Sequence, residues 1–347
     1  MDIQQNQYSQ LIGQIGDLLA AGRQLAARQV NTVLVKTYWE IGRHIVEFEQ
    51  NGNQKAEYGT QLFDRLSRDL TDAHGKGFGR TNLGYIRKLY LAFPISGTLS
   101  RILTWSHYYE ILKADSPLEI GFYSKQTEKE RWSVRELKRQ MKSMLFHRLA
   151  LSTDKEGVLK LANKGHEIHR PEDLLKDPFV LEFLNIPEQH QYLESELEEK
   201  LISNLQNFLL ELGKGFAFIG RQYRMSIGGK HFRLDLLFYH RILKCFVLID
   251  LKRGEIDHQD IGQMNLYLNY FIKEEATEGD NQPVGIILGA YKNQILVEYA
   301  TDSITNTVLL AKYQLYLPDK SQLEAALNRL LDVETALDFT NPKIDEL

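Results

Sequence analysis

Cysteine is nearly absent from this chain: Cys245 is the single one among 347 residues, so no internal disulfide can form. That suits a reducing compartment, and Cys245, set in an apolar run, reads as a small core residue. An excess of basic charge is also lacking. The 42 Lys and Arg are outnumbered by 46 Asp and Glu, a net charge of −4, which excludes a uniformly basic coat and confines any nucleic-acid surface to a local patch. No run of about 18 uncharged apolar residues occurs, so no membrane span is expected. The amino terminus, MDIQQNQYSQ, has no basic segment followed by an apolar one, so no secretory signal is expected. These absences point to a soluble, cytoplasmic protein. The rest is ordinary, with 43% hydrophobic and 25% charged residues over a length that accommodates two domains.

The first half reads as helical. Tyr8, Leu11, Ile12, Ile15, Leu18 and Leu19 follow amphipathic spacing, and Leu34, Tyr38, Ile41, Ile45 and Phe48 alternate steps of four and three. Such a short seam suits an intramolecular bundle or self-association into a homo-oligomer. A helical run at 58–71, a glycine-broken turn GKGFG at 75–79 and a second helical run at 80–93 follow. Leu83, Ile86, Leu89 and Phe93 would face inward, with Arg80, Arg87 and Lys88 outward. This is compatible with a helix-turn-helix DNA reader and equally with an ordinary solvated helix. The glycines do not make a nucleotide cradle, because no strand precedes them and no Gly-Lys-Ser/Thr follows. Over 121–148 the cations Lys125, Lys129, Arg131, Arg135, Lys138, Arg139, Lys142 and Arg148 outnumber Glu128, Glu130 and Glu136, a second patch that would attract phosphate or merely solvate a helix face. Trp105 and His107 read as packing residues without ligand geometry.

These patterns divide the chain into a helical domain over 1–165 (a candidate helix-turn-helix DNA reader), a proline-containing connection over 166–192 and an α/β domain over 193–347. In the last, a helix is expected over about 193–212, strands at 215–227, 231–239, 244–252, 283–290 and 307–316, and helices at about 257–275 and 320–333. Helix, three strands, helix and strand describe a mixed sheet.

Phe232–Lys252, reading FRLDLLFYHRILKCFVLIDLK, holds the chemistry. Its two strands are apolar on both faces, as central strands are, yet Asp235, Asp250 and Lys252 interrupt them. A carboxylate in a dry interior costs several kcal/mol unless paired or metal-bound. Alternation places Phe232, Leu234, Leu236 and Phe238 on one face and Arg233, Asp235 and Leu237 on the other, while Asp250 and Lys252 project together about 7 Å apart. A hairpin through 240–243 would bring Asp235 to them. Two carboxylates with the backbone carbonyl of Leu251 suit Mg²⁺, with Mn²⁺ as a substitute. The lysine would position or help deprotonate a metal-bound water. Glu198, on the helix before the strands, would lean into this site and complete the metal set. Gln263 and Tyr267, four apart on the helix after them, would hydrogen-bond to Lys252, a metal water or a phosphate. The alternatives are a strand ion pair for Asp250 and Lys252, a surface glutamate for Glu198, and ordinary helix positions for Gln263 and Tyr267.

The ordered set Glu198, Asp235, Asp250-Leu251-Lys252 and Gln263-Met264-Asn265-Leu266-Tyr267 resembles the PD-(D/E)xK nuclease superfamily. FLLELGKGFAFIGRQYR, DLLFYHRIL and GQMNLYLNYF, with GKGFGRTNLGYIRKLY, LTWSHYYEIL and WSVRELKRQM upstream, resemble the YhcG family of such proteins over nearly the whole chain. The resemblance implies a helical amino-terminal domain of DNA-binding type, a restriction-endonuclease-like α/β carboxy-terminal domain, and a role with mobile DNA or restriction-type defence. Two departures are Asp250 where the family commonly has Glu, and IDHQD at 256–260 where it has a proline-containing loop. The expected function is a Mg²⁺-dependent endonuclease on double-stranded or branched DNA. Its alternatives are a non-catalytic DNA-binding or assembly module that keeps the fold, and an RNA nuclease, for which no aromatic single-strand platform is evident.

Overall fold

The computed structural model describes residues 29–49, 56–186, 192–291 and 305–329. The helix expected around Tyr8–Leu19 lies outside them. The described residues fall into two compact units, one within Met1–Arg139 and Ala162–Gly165, the other within Gln140–Leu161 and His166–Leu347.

The first unit is helical: α1 (29–49), α2 (Ala56–His74), α3 (Arg80–Ala92), α4 (Trp105–Ile111), α5 (Pro117–Glu130) and most of α6 (Val134–Lys142). Ile45 of α1 packs with Leu83 and Ile86 of α3. The buried residues of α1 are Val35, Trp39, Gly42, Ile45 and Val46; of the expected Leu34–Phe48 seam, Tyr38, Ile41 and Ile45 join the bundle core, while Phe48 is exposed. Gly42 permits this contact, because a Cβ there would stand 2.3 Å from the Ile86 carbonyl oxygen. The helix thus serves an intramolecular bundle. Pro117 opens α5 at a position that needs no N–H donor, and Ser116 Oγ accepts from the Glu119 N–H at 3.1 Å. His107 caps α4, its Nδ1 lying 2.8 Å from Thr104 Oγ1, which is a structural role.

The second unit is built on a six-stranded mixed sheet: β1 (Phe179–Val180), β2 (Phe216–Ile227), β3 (Lys230–His240), β4 (Cys245–Glu255), β5 (Val284–Tyr291) and β6 (Thr307–Gln314), in the order β1-β6-β5-β4-β3-β2. β2, β3 and β4 are antiparallel neighbours, and β4, β5, β6 and β1 run parallel. Leu197 and Leu201 of α9 (Glu194–Ser203) and Phe208 and Leu212 of α10 (Leu205–Leu212) cover one face. Ile261, Met264 and Leu268 of α11 (His258–Tyr270) cover the other. Each such buried side chain contributes roughly 1.5–3 kcal/mol, which is what presses the helices onto the sheet.

Several expectations change. The helix over 193–212 breaks at Asn204, whose Nδ2 donates to the Lys200 carbonyl at 3.0 Å and so competes with the helical ladder. The segment 166–192 is more than a connection, since it supplies β1, fully buried and paired with β6. α7 (Leu145–Ala150) and the first part of α8 (Lys155–Lys164) cluster with the sheet unit, although the sequence places them with the amino-terminal half. Arg148 accounts for that. Rather than joining an exposed basic face, its fully buried guanidinium pairs with Glu211 of α10 and donates to the carbonyls of Ser143 at 2.7 Å and Pro178 at 3.0 Å. Glu211 also accepts from the Val180 N–H of β1. Burial alone would raise the Glu211 carboxyl, but Arg148 and Lys176 outweigh it and hold the group below its ordinary value.

Candidate active site

The site arises where β3 and β4 leave their regular pairing. The ladder ends at Leu236↔Ile249, and the next residues are Asp235 and Asp250. Phe232 and Leu234 pack with the α11 face while Leu236 and Phe238 pack with the α9–α10 face, so strand alternation slips by one at Asp235 and the four apolar residues do not share a face as expected. β2 matches the slip with a bulge. Phe218 pairs with Phe238 and Gly220 with Leu237, leaving Ile219 extra. Gln222 then sits in the left-handed region with φ of 48°, uncommon for a side chain with a Cβ.

That distortion aims Gln222. Its Nε2 donates to Glu198 Oε2 at 2.7 Å and to Asp235 Oδ1 at 3.1 Å, joining α9 to β3. Asp235 Oδ2 accepts from the Leu251 N–H at 2.8 Å. Asp250, 4% exposed, lies 2.9 Å from Lys252 Nζ, which also stands 3.4 Å from Asp260 Oδ1 of α11. Asp260 is held there because its other oxygen accepts from the Asp257 N–H at 3.0 Å, closing the amino-terminal cap of α11. Lys252 therefore has the partner expected of a strand ion pair, within a larger carboxylate group. Gln263 and Tyr267 hydrogen-bond to each other, and Tyr267 donates to the Arg233 carbonyl at 3.3 Å, so this pair braces β3, and α11 reaches Lys252 through Asp260.

Electrostatics follow burial. Asp250 is pushed up to about 7, first by burial, then by Asp235, against the pull of Lys252. Burial raises Asp235 too, opposed chiefly by the Leu251 N–H. Glu198 is raised by burial although Gln222 and Arg221 favour its charge. For Lys252 burial disfavours the ammonium, but Asp250, Asp260 and Glu194 prevail and hold it above the ordinary lysine value. The tyrosine at 267 is raised by burial, with Asp250 adding to it.

Burial raises all three carboxyls, and a cation beside them would favour their charged forms. Glu198 Oε1 is buried with no hydrogen-bond partner among the described residues. The donors are all oxygen, which fits a hard divalent cation. Among the described residues no three His, Cys, Asp or Glu side chains stand together as a metal-holding group. Asp235 and Asp250 could hold such a cation between them, with Glu198 tied to Asp235 through Gln222.

Sequence reasoning missed Gln222 and Asp260. Gln222 carries no charge and depends on a bulge that periodicity does not reveal. Asp260 was detectable as the second acid of the Asp257-x-x-Asp260 capping pattern. In the first unit most of the expected DNA-contacting cations are engaged. Arg80 lies 3.3 Å from Asp64, Arg87 2.7 Å from Glu49 and Lys138 3.3 Å from Glu110. Lys88 turns inward to the carbonyls of Leu112 and Ala114. Arg131 and Arg135 are exposed, and Arg139 is half-buried beside Glu136.

Residues 172–328 match the YhcG PDDEXK nuclease domain, and residues 14–148 match the DUF1016 N-terminal domain. The chain is 39% identical to the protein named "Putative nuclease YhcG" of Escherichia coli (strain K12), over 93% of this chain and 94% of that one. Among solved structures it is similar to a repair endonuclease from Pyrococcus abyssi, at 18% identity and a TM-score of 0.27 over 38% of this chain and 50% of that one. It is also similar to EndoMS in apo form, at 19% identity and a TM-score of 0.24 over 38% and 49%. No helix among the described residues is long and apolar enough to cross a membrane. With its two family domains in order and a relative matched along almost its whole length, the chain belongs to the YhcG family of PD-(D/E)xK nuclease-domain proteins.

Proposed function

We propose that this nuclease is a Mg²⁺-dependent DNA endonuclease, acting in the cytoplasm on mobile or invading DNA. The observation that supports it most is the convergence of Asp235, Asp250 and Lys252 at the end of the β3–β4 ladder, with Glu198 joined to them by Gln222. A divalent cation at Asp235 and Asp250 would lower the pKa of a water and stabilise charge on the phosphate oxygens. Lys252, held as an ammonium, donates a hydrogen bond to the attacking water or a phosphate oxygen rather than abstracting a proton. In-line attack would form a P–O bond to the water oxygen, whose proton passes to bulk solvent, and break the opposite P–O bond, whose oxygen takes up a proton from solvent, leaving a hydroxyl and a phosphate monoester. Gln222 fixes the Asp235 carboxylate, and Asp260 keeps Lys252 in place.

The test incubates the purified full chain with duplex, single-stranded and branched DNA, and with RNA, in Mg²⁺, Mn²⁺ or EDTA. Cutting of DNA that requires metal and falls at least about 10³-fold in Asp235→Ala is expected. Equal cutting by wild type and variant would sink the reading. Salt-sensitive DNA binding without metal-dependent cutting would instead favour a binding module on the same fold.

A further inference from the structure

β2 is an edge strand, and its hairpin with β3 runs beyond the catalytic residues. The outer half pairs Arg224↔Arg233, Met225↔Phe232, Ser226↔His231 and Ile227↔Lys230. It closes through Gly228 and Gly229, both at positive φ (56° and 78°), the backbone of a tight two-residue turn. Met225 and Phe232 pack into the α11-side core. Alternation therefore turns Arg224, Ser226, His231 and Arg233 to the opposite face, and all four are exposed.

This ribbon has no acidic residue of its own. Between Glu211 and Asp235 stand Lys214, Arg221, Arg224, Lys230, His231 and Arg233, without one Asp or Glu, in a chain whose net charge is −4. Like charges directly opposite on an antiparallel pair repel. Arg224 and Arg233 face each other in this way, and among the described residues neither they nor Lys230 makes an ion pair. Two positions further along the same strands come Gln222 and Asp235, about 7 Å away. The repulsion is therefore sited where a chain of phosphates bound at the carboxylates would continue.

We propose that the outer half of the β2–β3 hairpin is a duplex-DNA docking ribbon, with Arg224 and Arg233 gripping backbone phosphates beside the cleaved bond. The proposal rests on the nuclease reading and adds where the substrate is held. A two-stranded ribbon fits the roughly 12 Å major groove of B-DNA, whereas the A-form groove of RNA is too narrow to admit it. The outward face carries His231 but no Phe, Tyr or Trp, too little for a platform on which successive single-stranded bases would stack.

The test measures anisotropy of fluorescein-labelled duplex DNA with the full chain in EDTA, across a NaCl series. The R224Q/R233Q double variant should bind about 10-fold or more weakly near 0.1 M salt, and the slope of log K against log salt should shrink by about 2, one per lost phosphate contact. The R224K/R233K variant, keeping charge, should retain most of the affinity, and thermal unfolding should show both variants folded. With metal, the double Gln variant should raise KM more than it lowers kcat. Wild-type affinity and slope in the Gln variant would overturn the docking assignment alone. Tighter wild-type binding to duplex RNA or single-stranded DNA would overturn the choice of duplex DNA. No DNA binding by wild type would overturn the nuclease reading with it.

Discussion

Gln222 separates function from stability within one residue. Its left-handed backbone costs on the order of 1 kcal/mol, yet that backbone lets one amide hold Glu198 and Asp235 together. Gln222→Gly should therefore leave thermal stability equal or higher while cutting falls about 10–100-fold, as it does when residues orienting metal ligands are lost; paired melting and cleavage assays check it. Asp250 gives a second prediction, with a definite sign. Its carboxyl titrates near 3.8 when unfolded and is pushed up to about 7 when folded, so the native state holds the extra proton between those values. Stability without divalent cation should accordingly fall as pH rises from about 4 to about 7, by on the order of 2–4 kcal/mol. Asp235 and Glu198, also raised, add in the same sense. Urea unfolding in EDTA should show the decline in wild type and a shallower one in Asp250→Asn. Asp235, Asp250 and Lys252 were legible because charge inside apolar strands is conspicuous; Gln222 was not, because its role depends on a bulge at Ile219, three residues before it.

At the scale of elements, the strands were readable to within a few residues because Val, Ile, Leu and Phe runs end at glycine- or lysine-bearing turns, as in IGGK before β3. What escaped were features set by distant partners. β1 is only Phe179–Val180, and its strand identity comes from β6, more than a hundred residues later. The slip at Asp235 likewise reflects which helix receives Leu234, a choice that local periodicity does not encode. The cap of α11 links element to site, since Asp257 starts the helix and Asp260 both closes the cap and holds Lys252. Asp257→Ala should cost about 1 kcal/mol of stability, whereas Asp260→Asn should lower the cutting rate more than it lowers the denaturation midpoint. Denaturant titration beside steady-state rates would separate the two.

For the whole molecule, the Arg148–Glu211 pair marks where the sheet unit begins. A fragment 166–347, cut near the boundary expected from sequence, would lack Arg148 and strand a buried carboxylate; a fragment 140–347 would keep the pair. The shorter fragment should be less stable by about 3–5 kcal/mol, the usual cost of breaking a buried pair, and Arg148→Met in the full chain should show a similar loss by chemical denaturation. The sequence could not announce this burial, because Arg148 stands among solvated cations in a basic stretch. The central claim is that Asp235 and Asp250 hold a divalent cation for phosphodiester hydrolysis. Its most direct measurement is the nicking rate of supercoiled plasmid as Mg²⁺ is titrated into the full wild-type chain and into Asp250→Asn. Saturable, Mg²⁺-dependent nicking by wild type, with the variant at least about 10²-fold slower at every Mg²⁺ concentration, is the predicted result. Equal rates in the two proteins, or nicking by wild type that persists in EDTA, would contradict it.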